Sequence, residues 1–271
     1  ITQGLGQKWL GVLFALSLIF CFGFVFEAVQ TNTIADTTKA AWGWDQHYVG
    51  VALVILTAPI IFGGIRRVSK AAEIIVPLMA VLYLVIALFI IATNISLIPD
   101  VFGQIFSNAF NFDSAAGGFL GGLISITMMQ GIKRGLYSNE AGMGSAPIAA
   151  AAAKTDHPVR QALVSMTGTF LDTIVVCSIT GIVLVMGLLG AGGEFVKPEL
   201  SGAALTTVTF QKMLPGIGGW IVTIGLIFFA YSTILGWCYY GEKCAVYVFG
   251  ERFAGLYRVG YVSSVMLGTV L

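Results

Sequence analysis

Two carboxylates fall within long apolar stretches of this 271-residue chain, where an ionisable side chain is costly and therefore a candidate for function. Asp172 lies in "TGTFLDTIVV", beside Thr169 and Thr173. A carboxylate flanked by hydroxyls offers hard oxygen ligands, which suit an alkali cation or a proton relay. Alternatively, Asp172 only pairs with a neighbouring helix. The second acid, Glu27 in "FEAVQTNT", lies nearer the end of its stretch, and there we expect an interfacial carboxylate.

Amide, hydroxyl and indole groups occur in similar positions. Gln30 carries an amide that could bind the amino and carboxyl groups of a small zwitterion, or cap a helix end in the headgroup region. Ser232 and Thr233 are adjacent hydroxyls at the middle of "FFAYSTILGWCYYGE", where such groups often bond to their own helix. Trp237 lies one turn after Thr233 on the same face, so it could form the apolar wall of a pocket or belong to an aromatic belt.

Glycines are concentrated in "GGFLGGLISITMMQGIKRGLYSNEAG". Each glycine lowers helix stability by about 1 kcal/mol relative to alanine, so a cluster favours either close helix packing or a break. Close packing accounts for Gly117, Gly118, Gly121 and Gly122. A break near "MMQGI" accounts better for Gly131, and the backbone groups it exposes would be tolerated only where they line a cavity. Discontinuous helices of this kind bind substrates and ions in secondary transporters.

The elements that hold these residues are predicted to be membrane spans. Hydrophobic residues make up 57% of the chain and charged residues 10%, against about 25% charged residues in a soluble domain. Stretches long enough to cross ~30 Å of hydrocarbon occur at about 9–32, 47–64, 72–95, 117–137, 161–189 and 217–241, with a seventh begun at 259–271. None alternates as a strand would, so we predict an all-α polytopic membrane protein with one transmembrane domain over residues 1–271. Because the chain starts at Ile1 and ends within an apolar stretch, we expect a part of a longer protein.

Basic residues predict the orientation of these spans. If successive connections alternate sides, 11 of the 14 Lys and Arg residues fall on the side that bears residue 1. The other side has only Lys39, Lys197 and Lys212. By the positive-inside rule, the end at residue 1 is cytoplasmic.

The polar stretch "GLYSNEAGMGSAPIAAAAAKTDHP" falls on the same cytoplasmic side. Its glycines follow no predicted strand, so they do not form a phosphate-binding loop. Ser145 followed by Pro147 predicts the start of a short alanine helix that ends near Lys154. "TDHP" then introduces the next span. Small residues pack closely against other helices, as a gate or hinge requires.

The segment "GIKRGLYSNEAGMGSAPIAAAAAKTDHPVRQAL" resembles the signature region of the alanine or glycine:cation symporter family, also called sodium:alanine symporters. "VQTNTIA" and "AYSTILGWCYYGEK" are similar to other segments of that family. The resemblance implies a leucine-transporter-type inverted-repeat fold with broken first and sixth core helices. In that frame the chain is incomplete: it begins at the third core helix and has about six full transmembrane helices plus a partial seventh. The glycine-rich span would be helix six, and the spans of Asp172 and Ser232 would be helices seven and eight.

The same resemblance implies sodium-coupled symport of alanine, glycine or a similar small neutral amino acid by alternating access across a bacterial or archaeal plasma membrane. It assigns sodium ligands to Ser232, Thr233 and Asp172. It assigns substrate binding to five residues, namely Gln30, Met129, Gln130, Gly131 and Trp237. Their amides and freed backbone would bind the zwitterion, and the side chains of Met129 and Trp237 would limit its size. Sodium is the coupling ion, and no cofactor is expected.

Other functional classes have less support. An ATP-driven pump needs a phosphate loop, and none is evident. An enzyme needs a catalytic constellation, but both histidines, His47 and His157, fall in or beside loops. No polybasic run suggests nucleic acid. A channel, or a carrier for another small solute coupled to protons or uncoupled, shares these sequence features and is the alternative.

Overall fold

A computed structural model describes residues 1–109, 120–189 and 202–271. In these ranges the chain forms helices, as the sequence predicted, joined mostly by short turns. In chain order the helices are α1 (Lys8–Phe20), α2 (Phe26–Trp42), α3 (Gln46–Phe62), α4 (Ile65–Thr93), α5 (Ile98–Ala109), α6 (Leu120–Ser138), α7 (Glu140–Met143), α8 (Ala146–Ala150), α9 (Pro158–Phe170), α10 (Cys177–Leu188), α11 (Gly202–Met213), α12 (Gly218–Phe249) and α13 (Phe253–Gly268).

Four helical segments are long and apolar enough to cross a membrane, and they are Lys8–Lys39, Ile65–Thr93, Pro158–Leu188 and Gly218–Phe249. Two shorter apolar helical segments cover Gln46–Phe62 and Ile95–Ser107. In Gly218–Phe249, half of the most apolar 18-residue stretch is buried, whereas the buried share of the corresponding stretch is 17–28% in the other three segments. The remaining apolar surface suits contact with lipid, so the coarse prediction of a helical membrane protein is confirmed.

Two of the long segments contain a π-helical turn. Cys21–Val25 joins α1 to α2, and Leu171–Val176 joins α9 to α10. A π-turn inserts an extra residue and disturbs the regular ladder of main-chain hydrogen bonds. In the first turn, the Ser264 hydroxyl of α13 donates to the main-chain oxygen of Gly23 at 2.9 Å. Both acids singled out in the sequence are at these turns, because Asp172 lies inside the second and Glu27 follows the first.

The chain divides into two compact units. The first comprises Ile1–Tyr83 and Leu200–Leu271, and the second comprises Leu84–Glu199. Within the first unit, α12 packs against α1, α2, α11 and α13, so it is the central helix of that unit. Within the second unit, α5 packs on α10, and α6 contacts the π-helical turn at Asp172.

In the first unit, α13 is held by a tyrosine and an ion pair. The ring of Tyr257 packs against two glycines: a Cβ added at Gly241 would overlap its hydroxyl, and a Cβ added at Gly23 would be in tight contact with it at 3.2 Å. One residue further, Arg258 donates from Nε and Nη2 to the two carboxylate oxygens of Glu242, at 2.8 and 2.7 Å. This two-point pairing fixes the end of α12 against the start of α13.

The starts of several helices follow from capping residues. Asp45 accepts a hydrogen bond from the His47 backbone N–H at 2.8 Å, and this bond lowers the pKa of the Asp45 carboxyl. His157 Nδ1 accepts from the Val159 N–H at 3.2 Å, so "TDHP" begins α9 as predicted. Ser145 precedes the predicted alanine helix but makes no side-chain capping bond. That helix, α8, ends at Ala150 rather than near Lys154.

Candidate functional site

The candidate residues divide between the two units. Gln30, Ser232, Thr233 and Trp237 belong to the first unit, whereas Met129, Gln130, Gly131 and Asp172 belong to the second. Each group is therefore described within its own unit.

In the first unit, the candidates lie on two helices that run antiparallel. Ring contacts join Phe22 to Tyr240, Phe26 to Trp237 and Trp42 to Trp220, at centroid distances of 6.1, 5.6 and 5.5 Å. As the residue number rises along α2, its partner number on α12 falls. Gln30 is one turn beyond Phe26, so it lies on the face turned toward α12, at the level of Ser232 and Thr233. The fold thus brings the amide and the hydroxyl pair, which are about 200 residues apart in sequence, to one level of a helix pair.

Ser232 and Thr233 are half-buried, and both bond to their own helix. Their hydroxyls donate to the same acceptor, the Phe229 carbonyl oxygen, at 2.9 and 2.8 Å. The Ser232 oxygen also lies 3.9 Å from the Met79 sulfur of α4. Because the hydroxyl protons are directed at the main chain, the lone pairs of the two oxygens are what they can offer to a ligand.

Trp237 is an anchor of the α2–α12 contact. The indole is 5% exposed, stacks on Phe22 with centroids 5.4 Å apart and an interplanar angle of 8°, and also touches Phe26. This burial against another helix differs from the interfacial position of a tryptophan in an aromatic belt. It is compatible with the apolar wall of a pocket, the other interpretation of Trp237.

In the second unit, Asp172 lies in a small polar group. Its side chain is half-buried, and its Oδ2 atom is buried without a hydrogen-bond partner among the described residues. The adjacent Thr173 hydroxyl accepts a hydrogen bond from the Asn139 side-chain amide at 3.0 Å. The Asn139 Oδ1 atom in turn accepts from the Gly142 N–H at 2.8 Å and caps α7. A carboxylate, a hydroxyl and an amide are thereby gathered where α6 ends.

The predicted break in the glycine-rich span is wrong in its position. α6 continues without interruption through Met129, Gln130 and Gly131 to Ser138, and the helix ends only before Asn139. Gly131 and Gly135 are separated by residues that favour a helix, and the helix stability that the two glycines remove is too small to end the helix there. Asn139, in contrast, supplies a capping side chain for the next helix. Met129 and Gln130 are exposed on this unit. The close packing predicted for Gly117, Gly118, Gly121 and Gly122 falls outside the residues whose packing the structure describes.

Two polar residues, Asn139 and Glu27, have surroundings that the sequence did not predict. Asn139 is not among the candidates predicted from the sequence, yet its side chain bonds to Thr173, next to Asp172. Its position before a short glycine-containing segment is the sequence signal of a cap. Glu27 was expected to be interfacial, but its side chain is 0% exposed. The neighbours of Glu27 on α12 and α13, such as Cys238 and Ser264, are distant in sequence, so no local pattern predicted this burial.

Comparison with known proteins yields one family and several relatives. The model of the "Sodium:alanine symporter family" matches residues 1–271. The sodium/alanine symporter AgcS of Methanococcus maripaludis is 55% identical over 260 residues, which cover 96% of this chain and 56% of that protein.

Two relatives from Bacillus subtilis are more distant. The putative sodium/proton-dependent alanine carrier protein YrbD is 41% identical over 256 residues, covering 92% of this chain and 52% of the relative. The probable sodium/glutamine symporter GlnT is 38% identical over 271 residues, covering 100% of this chain and 55% of the relative. The chain thus spans little more than half the length of the curated relatives it matches.

Proposed function

Because the chain belongs to the sodium:alanine symporter family, we propose that the full-length protein carries alanine, glycine and similar small neutral amino acids together with sodium. The family match over residues 1–271 is the observation that carries this proposal. The relatives described above are named as symporters or carriers rather than enzymes, in agreement with the sequence prediction. Their names differ in substrate and coupling ion, so both properties need direct tests.

The proposed architecture is the leucine-transporter-type inverted repeat, working by alternating access. In this assignment the chain supplies core helices from the third onward, with α6 as helix six, α9–α10 as helix seven and α12 as helix eight. The extended backbone at Asn139 and the π-helical turn at Leu171–Val176 support it, since irregular backbone in a membrane is tolerated where it borders a cavity. The end of the chain at residue 1 is proposed to be cytoplasmic, and the membrane to be the plasma membrane.

The substrate site is proposed to include Gln30 and Trp237 from the first unit. The Gln30 amide can donate to a carboxylate and accept from an ammonium group, as a zwitterion requires. The Trp237 indole is rigidly stacked and would limit the volume available to the substrate side chain. In the second unit, Met129, Gln130 and Gly131 of α6 are separately proposed to bind substrate. Because α6 is helical at these residues, we expect their side chains rather than a freed backbone to contact the substrate.

The sodium sites are proposed to use oxygen atoms of Ser232, Thr233 and Asp172. The two hydroxyl oxygens keep their lone pairs free of the hydrogen bonds to Phe229, and the Asp172 Oδ2 atom has no partner among the described residues. Hydroxyl and carboxylate oxygens are hard ligands of the kind that an alkali cation prefers.

The test is uptake of labelled alanine by the full-length protein in proteoliposomes. We expect saturable accumulation driven by an inward sodium gradient, with competition by glycine and little competition by leucine. A potassium gradient of equal size is the control for osmotic and diffusive effects. Uptake that ignores the sodium gradient contradicts symport with sodium, and uptake that never saturates indicates a channel.

A further inference from the structure

Glu27 is a buried acid that the substrate and sodium sites proposed above do not use. It lies within the Lys8–Lys39 candidate span, and its side chain is 0% exposed. Neither of its carboxyl oxygens has a hydrogen-bond partner among the described residues. An unpaired carboxylate in such a position is costly, so a proton or a cation must neutralise it.

The hydroxyl groups beside Glu27 distinguish these two possibilities. Ser264 and Thr31 are next to the carboxyl. The Ser264 hydroxyl, however, donates to the main-chain oxygens of Gly23 and Tyr261, at 2.9 and 2.8 Å. The Thr31 hydroxyl donates within its own helix, to the main-chain oxygens of Glu27 and Ala28, at 3.2 and 3.1 Å. Two hydroxyls whose protons are committed in this way can only accept a hydrogen bond from the carboxyl.

A protonated Glu27 can form a hydrogen bond with these hydroxyls as they are oriented, whereas a charged Glu27 cannot. A protonated Glu27 has one O–H to donate, and the oxygen of Ser264 or Thr31 can accept it. A charged Glu27 would instead need the Ser264 proton. That proton serves the carbonyl of Gly23 in the π-helical turn, so its rotation would leave a buried main-chain oxygen with one hydrogen bond fewer.

The other groups that face Glu27 favour a proton over a metal cation. The titratable groups near it are Cys238 on α12 and Tyr257 and Tyr261 on α13. The Tyr261 hydroxyl donates to the Ile234 carbonyl oxygen at 2.7 Å. Glu242 and Arg258, the charged groups near Cys238, are paired with each other. Among the described residues, the oxygens beside the Glu27 carboxyl are the Ser264 and Thr31 hydroxyls. A proton needs one acceptor oxygen, which either hydroxyl supplies, whereas an alkali cation needs several hard oxygens at once.

We propose that Glu27 is a proton-binding site of this carrier, loaded when α2, α12 and α13 are packed as described and exchanging with water as the carrier moves. Glu27 precedes Gln30 by one helical turn and faces the same helix, α12, as the proposed substrate site. A movement that opens this helix pair for a substrate therefore also changes the access of water to Glu27. The transport role rests on the proposed function, whereas the binding of a proton does not.

Infrared spectroscopy of the full-length carrier in lipid tests proton binding without any transport. We expect a carbonyl band of a protonated carboxylic acid that is absent in Glu27→Gln. Glu73, an exposed acid of the same unit, supplies the control Glu73→Gln, which should retain the band. If Glu27→Gln fails to fold, Glu27→Asp, which keeps an acid, should show the band at a shifted position. Two results overturn the proposal: absence of the band in the parent protein, or a carboxylate band that responds to removal of sodium in the parent and in Glu73→Gln but is lost in Glu27→Gln.

The pH profile of alanine uptake tests the transport role. Glu27→Gln imitates the protonated side chain permanently, so we expect its uptake rate to lose the pH dependence that the parent and Glu73→Gln share. A pH profile of Glu27→Gln that matches the parent overturns the transport role, even if the infrared band is present. If the parent transports no alanine, the infrared result still decides whether Glu27 holds a proton.

Discussion

The hydroxyl groups of Ser232 and Thr233 can donate a hydrogen bond to their own helix and still offer oxygen lone pairs to a ligand. Both protons are bonded to the carbonyl oxygen of Phe229, which stabilises the orientation of the side chains. An oxygen held in this way presents its lone pairs in a fixed direction. Bonding to the helix and coordination of a cation, which the sequence offered as separate readings, are therefore compatible.

Replacement of Thr233 by alanine should weaken the response to sodium more than the response to substrate. Loss of one oxygen ligand worth about 1–1.5 kcal/mol would raise the sodium concentration for half-maximal uptake roughly five- to tenfold. Sodium activation curves at saturating alanine measure this change. Thr167→Ala is the matched control, because Thr167 makes the same bond to its own helix but is exposed. An unchanged curve for Thr233→Ala would remove this hydroxyl from the sodium site.

Replacement of Trp237 by alanine should destabilise the folded protein. The indole is almost fully buried against Phe22 and Phe26, and truncation of a buried aromatic residue costs about 3–5 kcal/mol. Thermal unfolding of the full-length protein in detergent measures the loss. Trp9→Ala is the control, since Trp9 is 63% exposed. Equal melting temperatures for the two variants would show that the ring stack contributes little.

At the scale of the elements, the π-helical turn at Leu171–Val176 is bonded to the segment that follows α6. It carries Asp172 and Thr173, and the Thr173 hydroxyl accepts a hydrogen bond from the side-chain amide of Asn139, the residue that caps α7. A single side chain thus links the cap of a short helix to the turn that holds the half-buried Asp172. A change in the polar stretch after α6 can therefore reach Asp172.

A double-mutant cycle should detect this link. Removing the hydrogen bond through Asn139→Ala, Thr173→Val and the combined variant should give a coupling of about 1 kcal/mol in unfolding free energy. Asn139→Ala should lower the free energy of unfolding by about 0.5–2 kcal/mol more than Thr173→Val does, because it also removes the cap of α7. Thr173→Ser keeps the hydroxyl and serves as the control. Additive effects of the two single substitutions would show that the bond contributes nothing.

The elements also show what the sequence could and could not predict. Apolar length located the helices well, because a stretch that must satisfy its own backbone in lipid has few alternatives. The break predicted inside α6 was wrong, since glycine is a weaker signal of a helix end than the cap at Asn139. The alignment of Gln30 with the level of Ser232 and Thr233 depends on the antiparallel contact of α2 with α12. Only the tertiary packing of distant aromatic residues determines that register.

At the scale of the whole molecule, the orientation in the membrane can be tested by accessibility. The charge asymmetry predicts that the stretch around Lys154 is cytoplasmic and that the turn at Asp45 lies outside. Both residues are exposed, so cysteine at either position should react readily. In the full-length protein lacking other accessible thiols, an impermeant thiol reagent added to intact cells should label Asp45→Cys and spare Lys154→Cys. Labelling of Lys154→Cys from outside would reverse the orientation.

The contact of Tyr257 with two glycines constrains how this protein can vary. The ring occupies space that exists only because Gly241 lacks a Cβ, and it leaves little room for a Cβ at Gly23. Alanine at Gly241 should therefore be tolerated only beside a smaller residue at 257, and a smaller residue alone should leave a void. Positions 241 and 257 form one epistatic unit, so a substitution library that varies them singly would score each as intolerant while their combination survives.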